Sequence, residues 1–593
     1  MLRHNQPASP RRRGTALEAG CVGGPSYVAA IRPQLEFSLD TLRRVGGPLV
    51  LEAHAQPKQD VPAGSLARAH SGPRHNLAEI AWIPVTTADG KYAELSLAEA
   101  LLNGHEYAGL ACADPLEYAA LSRYLIALTY LVHAHDPARG WHAVGLGKAP
   151  FPRHAVDAVL GRLADHLWLF HPTTPFLQQP RLRDAVTNAA TLRGGEFDPA
   201  EVFHNVGALT PGGSGGWFTR TRAVGQLSPA QCARALVIRH FMSPHGNEMF
   251  VRCPERVTRM SSGGVGFTSV GASTQFFRTG PTLAATLAVN LVQEIVDDCA
   301  GQTFFEAPEP VGPPSRLWLY TFSTAATYLI EPDRDEPVWY TLRGRHPYAA
   351  SAQKALLTTA KHADPHVVWA QGAKASTDPK KLILDPNLHQ YDNLAHALAL
   401  TAKATPLENV VTGRRPIQPP REHARGTTAI CLKTSGATMG PQIASAARIS
   451  WEASGLVAPK RQRLIMLGLL RRIGGASGSL SSILGYQVRQ VVDGGRRDPS
   501  DITGGDRDRG LVSLARGDLF DELDDFLRRA LAEVLDGSRT TDLPAAAEVT
   551  ELVAATLTVF ERRCAPFSNG SRQAVAIARG TQRLSSAARR ILT

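Results

Sequence analysis

The residues best placed to do chemistry lie between positions 212 and 248. Phe218–Gln226 sets Arg220 and Arg222 either side of a threonine and follows them with Gly225 and Gln226. Ser228-Pro229 then supply an N-cap and a first-turn proline for a helix running through Cys232, Ala233, Ala235 and Leu236. A loop feeding a helix N-terminus can turn backbone N–H groups and arginines on one phosphate, and its glycine lets backbone approach a nucleic-acid groove. A solvated basic loop accounts for the same residues, so both readings stand.

Upstream, Gly212-Gly213-Ser214-Gly215-Gly216 satisfies the pattern of a nucleophile elbow. An elbow needs a buried strand before its serine and a helix directly after it. Here Thr210-Pro211 precedes and Trp217-Phe218-Thr219-Arg220 follows, so the stretch reads as a glycine-rich loop. A hydrolase or transferase built on the 207–246 loops would need Ser214 to meet His204 or His245 and an acid. His245 and Glu248 sit three residues apart in a turn, without the third and fourth ligands of a metal site. Gly263-Gly264-Val265-Gly266 lacks the Lys-Ser or Lys-Thr ending of a phosphate loop. No metal, cofactor or catalytic residue is expected.

Positioning these loops requires a frame, and the hydrophobic pattern outlines one. Ala81–Val85 reads as a short strand, Ala88-Asp89-Gly90-Lys91 as a polar turn, and Leu95–Leu102 as the start of a helix. Leu116, Ala119, Ala120, Tyr124, Ala127, Leu128 and Leu131 repeat at helical spacing behind an Asp114-Pro115 start signal. A second helix through Ala155, Val159, Leu163 and Leu167 delivers the chain to Phe170–Gln178, with Trp82 and Phe176 as buried anchors. Leu317–Phe322 and Pro337–Leu342 read as two strands of a small sheet around the charged turn Asp333–Glu336. After Asp385 strand signals fade, and 394–404, 461–473, 519–534, 549–563 and 574–591 read as helices.

The expected class is therefore α+β: an irregular mixed N-terminal domain followed by a C-terminal four-helix bundle. The divisions are a disordered extension over 1–74, an α/β domain with nucleic-acid-contacting loops over 75–385, and the bundle over 386–593. Against 53 acidic residues the 593-residue chain carries 64 lysines and arginines, a net charge of +11 that favours polyanionic partners. Its seven cysteines show no zinc or redox spacing and read as a reduced cytoplasmic set. No apolar run reaches the roughly 18 residues a membrane span needs.

The order of the Trp82 strand, the two helices and Pro175-Phe176-Leu177-Gln178 resembles the large subunit of the type I-E CRISPR surveillance complex Cascade, the CasA family. Phe218, Gly225 and Cys232 continue the resemblance, as do Gln390-Tyr391-Asp392-Asn393 and Phe560–Phe567 with Ala576–Arg579. It implies that Gly225, with Arg220, Arg222 and Gln226, lies against the protospacer-adjacent motif in the DNA minor groove. The same resemblance implies a strand-separating hairpin at Gln371–Lys381. The family's tip glutamine is replaced there by Ser376 or Thr377, with Lys374, Lys380 and Lys381 beside them.

Arg334 or Arg345 takes the place of a lysine that touches the motif in the family, and Glu201–Thr210 matches a segment that orders against the guide RNA. The implied partners are crRNA, double-stranded target DNA, the backbone, small and 5′-handle-binding subunits, and a separate helicase-nuclease. A non-catalytic helical scaffold with an incidental basic face is the third reading.

Overall fold

The computed structural model describes residues 69–593, apart from 138–140, 184–202, 206–226, 244–264, 267–271, 299–301, 310–311, 333–337, 339, 346–349, 363, 371–379, 404–425, 436–441, 452–455, 457, 476–477 and 494–505. All of it falls within one compact unit, Pro62–Thr593. Most of the extension expected over 1–74 lies outside the described residues, but its last part does not. His70 is buried, its ring stacked on Tyr328 at 4.6 Å and within hydrogen-bond distance of the Leu329 and His171 carbonyls. Ser71 and Arg74 both bond Glu331. The packed body thus begins before Asn76; a lone histidine anchored by partners 101 and 259 residues away leaves no local periodicity to read.

The first strands are β1 (Arg74–Asn76), β2 (Ile83–Thr87), β3 (Tyr92–Leu95) and β4 (Tyr107–Leu110). β2 is central in a three-stranded antiparallel sheet, and the polar turn expected at 88–91 joins it to β3 through Gly90 at φ +83°. Pro84 lies inside β2. Helix α1 (Leu97–Leu102) follows a capping box in which Ser96 and Glu99 satisfy each other's amides.

Helix α2 (Pro115–His135) starts where Asp114 accepts from the Leu116 amide, and all its residues from Pro115 to His133 except Glu117 are buried. Helix α3 (Arg153–Arg162) leads to β5 (Trp168–Phe170), which pairs with β1. Trp82 and Phe176 are buried with ring centroids 5.8 Å apart and Tyr124 alongside, the anchors the sequence indicates. Gln178 joins two segments: its amide nitrogen donates to Leu169 O, and its carbonyl accepts from Leu329 N.

Farther on come β6 (Phe203–Asn205), α4 (Pro229–Met242), β7 (Ala272–Thr279) and α5 (Leu283–Val289). Leu317–Phe322, expected as a strand, is helix α6 (Arg316–Thr321), capped by Ser315 accepting from Trp318 N. Leu317–Phe322 is buried on all sides, so the run has no alternation, and a short uninterrupted apolar run cannot be told from a strand by pattern alone. The sheet instead contains β8 (Ala325–Leu329) and β9 (Tyr340–Arg345), in the order β6-β9-β8. Helix α7 (Ala350–His362) leads to the ribbon of β10 (Trp369–Ala370) and β11 (Lys380–Lys381).

Helix α8 (Gln390–Lys403) opens the region expected to be all helical. A long hairpin, β12 (Gly426–Ser435) and β13 (Gln442–Trp451), overturns that expectation. β12 lies between β13 and β7, so residues far beyond 386 complete a sheet begun at 272. Ala429–Leu432 is buried on both faces, which removes the polar alternation that marks a strand.

The remaining helices are α9 (Lys460–Gly474), α10 (Leu480–Val492), α11 (Asp506–Glu522), α12 (Asp524–Asp536), α13 (Ala546–Cys564) and α14 (Ser571–Leu592). α10 packs on α11, α13 and α14, while α9 bridges α8 and α12. The stretch 519–534, expected as one helix, is interrupted at Leu523 between α11 and α12.

Candidate nucleic-acid interface

Two segments expected to meet DNA leave the described fold and return to it. Arg220, Arg222, Gly225 and Gln226 lie outside the described residues, but the point of return is fixed. Leu227 and Val338 exchange both backbone hydrogen bonds at 2.9 Å, tying the end of the loop beside the β9 strand. Helix α4 then begins as expected, with Ser228 as N-cap and Pro229 in its first turn. The cap also limits the phosphate reading. Ser228 accepts from Gln231 N and the Gln231 side chain accepts from Ser228 N, so those two amides are already occupied. Any anion gripped here depends more on the arginines than on the helix end.

Lys374, Ser376 and Thr377 also lie outside the described residues, and their stem is well defined. Trp369 pairs with Lys381 and Ala370 with Lys380 in an antiparallel ribbon on either side of residues 371–379. Below it Leu382 N donates to Val368 O, and Leu384 N donates to the Thr274 hydroxyl on β7. Lys381 is half-buried, and burial lowers its ammonium pKa against a partly offsetting Asp364 charge. Nearby Lys361, near the end of α7, is pulled down to about 7 by burial and by the Lys381 charge. A lysine whose charge is disfavoured by burial and by a neighbouring lysine gains when a phosphate arrives.

Of the remaining expected contacts, Arg334 lies outside the described residues. Arg345 ends β9, its Cα opposite Ala325. Within 201–210 only Phe203–Asn205 is described, as the edge strand β6 on β9. His204 sits in that strand opposite Thr341, while Ser214, His245 and Glu248 lie outside the described residues. Among the described residues no group of three or more His, Cys, Asp and Glu side chains could hold a metal. No described helix is long and apolar enough to cross a membrane.

Sequence reasoning missed two sets of charges. The first is internal: Arg123, in the middle of α2, places Nη1 3.0 and 2.9 Å from the two Asp364 oxygens with both side chains wholly buried. One arginine within an apolar run was the available signal. The second is on α14, whose 22 residues contain five arginines and no acid. Arg572, Arg579, Arg583 and Arg590 are separated by 7, 4 and 7 residues, which at 100° per residue keeps them within an arc of about 40° along about 27 Å of helix. All four are exposed, opposite the buried Gly580, Leu584, Ala588 and Leu592.

The later motifs are junctions. Tyr391 donates to Asp524 at 2.6 Å, Asp392 pairs with Arg516, and Asn393 holds the Asp385 carbonyl and amide, fixing the start of α8 on α11 and α12. Arg563 pairs with Asp518, and Phe560 packs against Gly580 where α13 meets α14.

The family model described as CRISPR-associated protein Cse1 matches residues 76–559. The chain belongs to this family. CasA/Cse1 from Thermus thermophilus is 29% identical over 251 residues, 41% of this chain and 43% of that relative, so the match spans less than half of the curated relative's length. Two solved Cse1 structures share the fold. That of Thermobifida fusca has a TM-score of 0.62 at 18% identity, covering 88% of this chain and 98% of its own. That of Acidimicrobium ferrooxidans has a TM-score of 0.61 at 18% identity, covering 87% and 99%. A chain of a CRISPR RNA-guided surveillance complex has the same fold, with a TM-score of 0.55 at 15% identity over 86% and 99% of the two chains. In this Cse1-family chain, as in those structures, helices and strands are mixed.

Proposed function

We propose that this chain is the large subunit of a type I-E Cascade complex, reading the protospacer-adjacent motif before the guide RNA pairs and then helping to open the duplex. The family match across 76–559 carries the reading. In such systems protein reads a short motif and base pairing reads the rest, so a few minor-groove contacts license opening. Gly225 with Arg220, Arg222 and Gln226 forms the motif loop, fed by the Leu227–Val338 bridge. The turn carrying Lys374, Ser376 and Thr377, with Lys380 and Lys381 at its base, separates the strands, and Arg334 or Arg345 supplements the motif contacts.

In the same reading α10, α11, α13 and α14 form the C-terminal four-helix bundle. The β12–β13 hairpin belongs to the N-terminal body, which starts near His70. The outward arginines of α14 give the bundle a face suited to a polyanion. The chain carries no catalytic group of its own. Guide RNA and the backbone, small and 5′-handle-binding subunits are its partners in the cytoplasm, and a recruited helicase-nuclease does the cutting.

The test is Gly225→Asp in the assembled complex. A carboxylate at the groove weakens binding of motif-bearing duplex by about a hundredfold or more while guide assembly is retained. Unchanged affinity in a gel-shift titration overturns the motif-loop assignment.

A further inference from the structure

The β10–β11 ribbon flanking residues 371–379 has two residues in each strand, too few to hold a direction by itself. Its rigidity has to come from the stem, and the incoming stem runs through a buried polar network that the reading above leaves unused. Arg123 on α2 donates to both oxygens of Asp364 and lies over the Tyr320 ring at 4.7 Å. Asp364 in turn accepts from the His366 amide at 3.0 Å. The His366 ring sits between the Tyr320 hydroxyl at 2.9 Å and the Phe276 carbonyl at 3.0 Å, and its own carbonyl accepts from Phe276 N.

These partners determine the proton positions. A carbonyl only accepts, so Nδ1 carries the hydrogen toward Phe276 and Nε2 receives the Tyr320 hydroxyl. Burial, with the Arg123 charge, holds the imidazole down at about 3, so it is neutral in this arrangement. Three residues after His366 the chain enters β10, and Val367 and Val368 between them are buried. The inbound stem is thereby fastened to α2, α6 and β7, and the outbound stem to β7 through Leu384 and Thr274.

We propose that Arg123, Asp364, His366 and Tyr320 form a buried anchor that fixes the direction of the β10–β11 ribbon, making them positioning residues for duplex opening. The inference rests on the strand-separating role of the turn. A wedge does work only against a stationary base, and hydrogen bonds of fixed direction hold a base at one angle where apolar contacts permit several.

Asp364→Asn strands a buried arginine and risks unfolding, so the test uses two milder changes. Tyr320→Phe keeps the ring under Arg123 and deletes only the hydroxyl. Arg123→Met with Asp364→Leu replaces the pair by apolar groups of similar size. Each variant is assembled with guide RNA and its partner subunits and studied at a temperature where circular dichroism shows it folded. Both are expected to bind motif-bearing duplex within about twofold of the parent. Opening, followed by 2-aminopurine fluorescence beside the motif, slows by about tenfold.

Opening at the parental rate in both variants overturns the anchor, as does a parallel loss of affinity and opening, which marks general destabilisation. Alanine at Lys374, Ser376 and Thr377 together serves as the control. If that triple change slows opening and the anchor variants do not, the anchor fails alone. If the triple change has no effect, the strand-separating reading fails as well.

Discussion

Arginine does opposite work in the two halves of the chain. Arg123 is sealed inside α2, pays for its desolvation with Asp364, and holds distant segments in one arrangement. The α14 arginines stand in solvent along one line, with no ion pair among the described residues. Elsewhere among the C-terminal helices several arginines are paired, although Arg461 and Arg471 on α9 also have no ion pair among the described residues. Arg528 pairs with Asp524, Arg529 with Glu551, Arg539 with Glu533 and Glu548, Arg562 with Glu522, and Arg563 with Asp518. Moreover, Arg579 and Arg583 are like charges one turn apart, and Arg572 sits at the helix end that disfavours cations, so the stripe costs α14 some stability. A charge kept inside serves the fold, whereas a line of charges kept outside leaves α14 a basic face suited to a polyanion.

The largest expected effect breaks the internal side of this contrast. Asp364→Asn leaves Arg123 buried and uncompensated and lowers unfolding free energy by about 3–5 kcal/mol, measured by urea denaturation. The apolar double replacement at Arg123 and Asp364 recovers most of that loss, because it removes both desolvation costs together. If the single and double variants are equally unstable, packing volume at α2 matters there and charge pairing does not.

The same contrast explains what could be read in advance. Helix α2 and its Asp114 cap, the turn at Gly90, the burial of Trp82 and Phe176, and the Ser228 start of α4 all follow from local patterns of period, cap and turn residue. The Arg123 network does not, because Asp364 is 241 residues away and a carboxylate in a loop looks solvated until the fold buries it. Hairpin β12–β13 and helix α6 went unread for the related reason that burial on all sides erases alternation. Of the site, the Ser228 and Lys381 flanks were legible through resemblance and turn chemistry. The α14 stripe was legible from spacing alone, since 572, 579, 583 and 590 fall in one arc of a helical wheel.

Replacing Arg572, Arg579, Arg583 and Arg590 together with glutamine probes the external side. Stability should stay within about 0.5 kcal/mol of the parent, since exposed and unpaired charges contribute little to the fold. Binding of the assembled complex to DNA should lose salt dependence, the slope of log K against log salt becoming shallower by about 2.8 if a single strand lies on the stripe or by about 3.6 for a duplex. Arg589 lies on the same helix and is exposed, but it points away from the stripe. Arg589→Gln should leave the slope nearly unchanged, and an equal per-residue loss there would reduce the stripe to diffuse attraction by net charge.

Lys361 stands between the two cases, half-buried and without an ion pair among the described residues, so its effect depends on pH. Folding lowers its pKa from 10.5 to about 7. Between those values the unfolded chain binds a proton that the folded chain does not, so stability rises with pH across the window. Below pH 7 both states are charged, and the cost of burying the ammonium is carried in full. Lys361→Met removes that cost. It should be more stable than the parent at pH 7, with the advantage shrinking steadily toward pH 10.5 in urea titrations of the two proteins side by side. A difference that stays constant with pH would mean that Lys361 keeps an ordinary charge and behaves like the outward arginines of α14, not like a cation held by its surroundings.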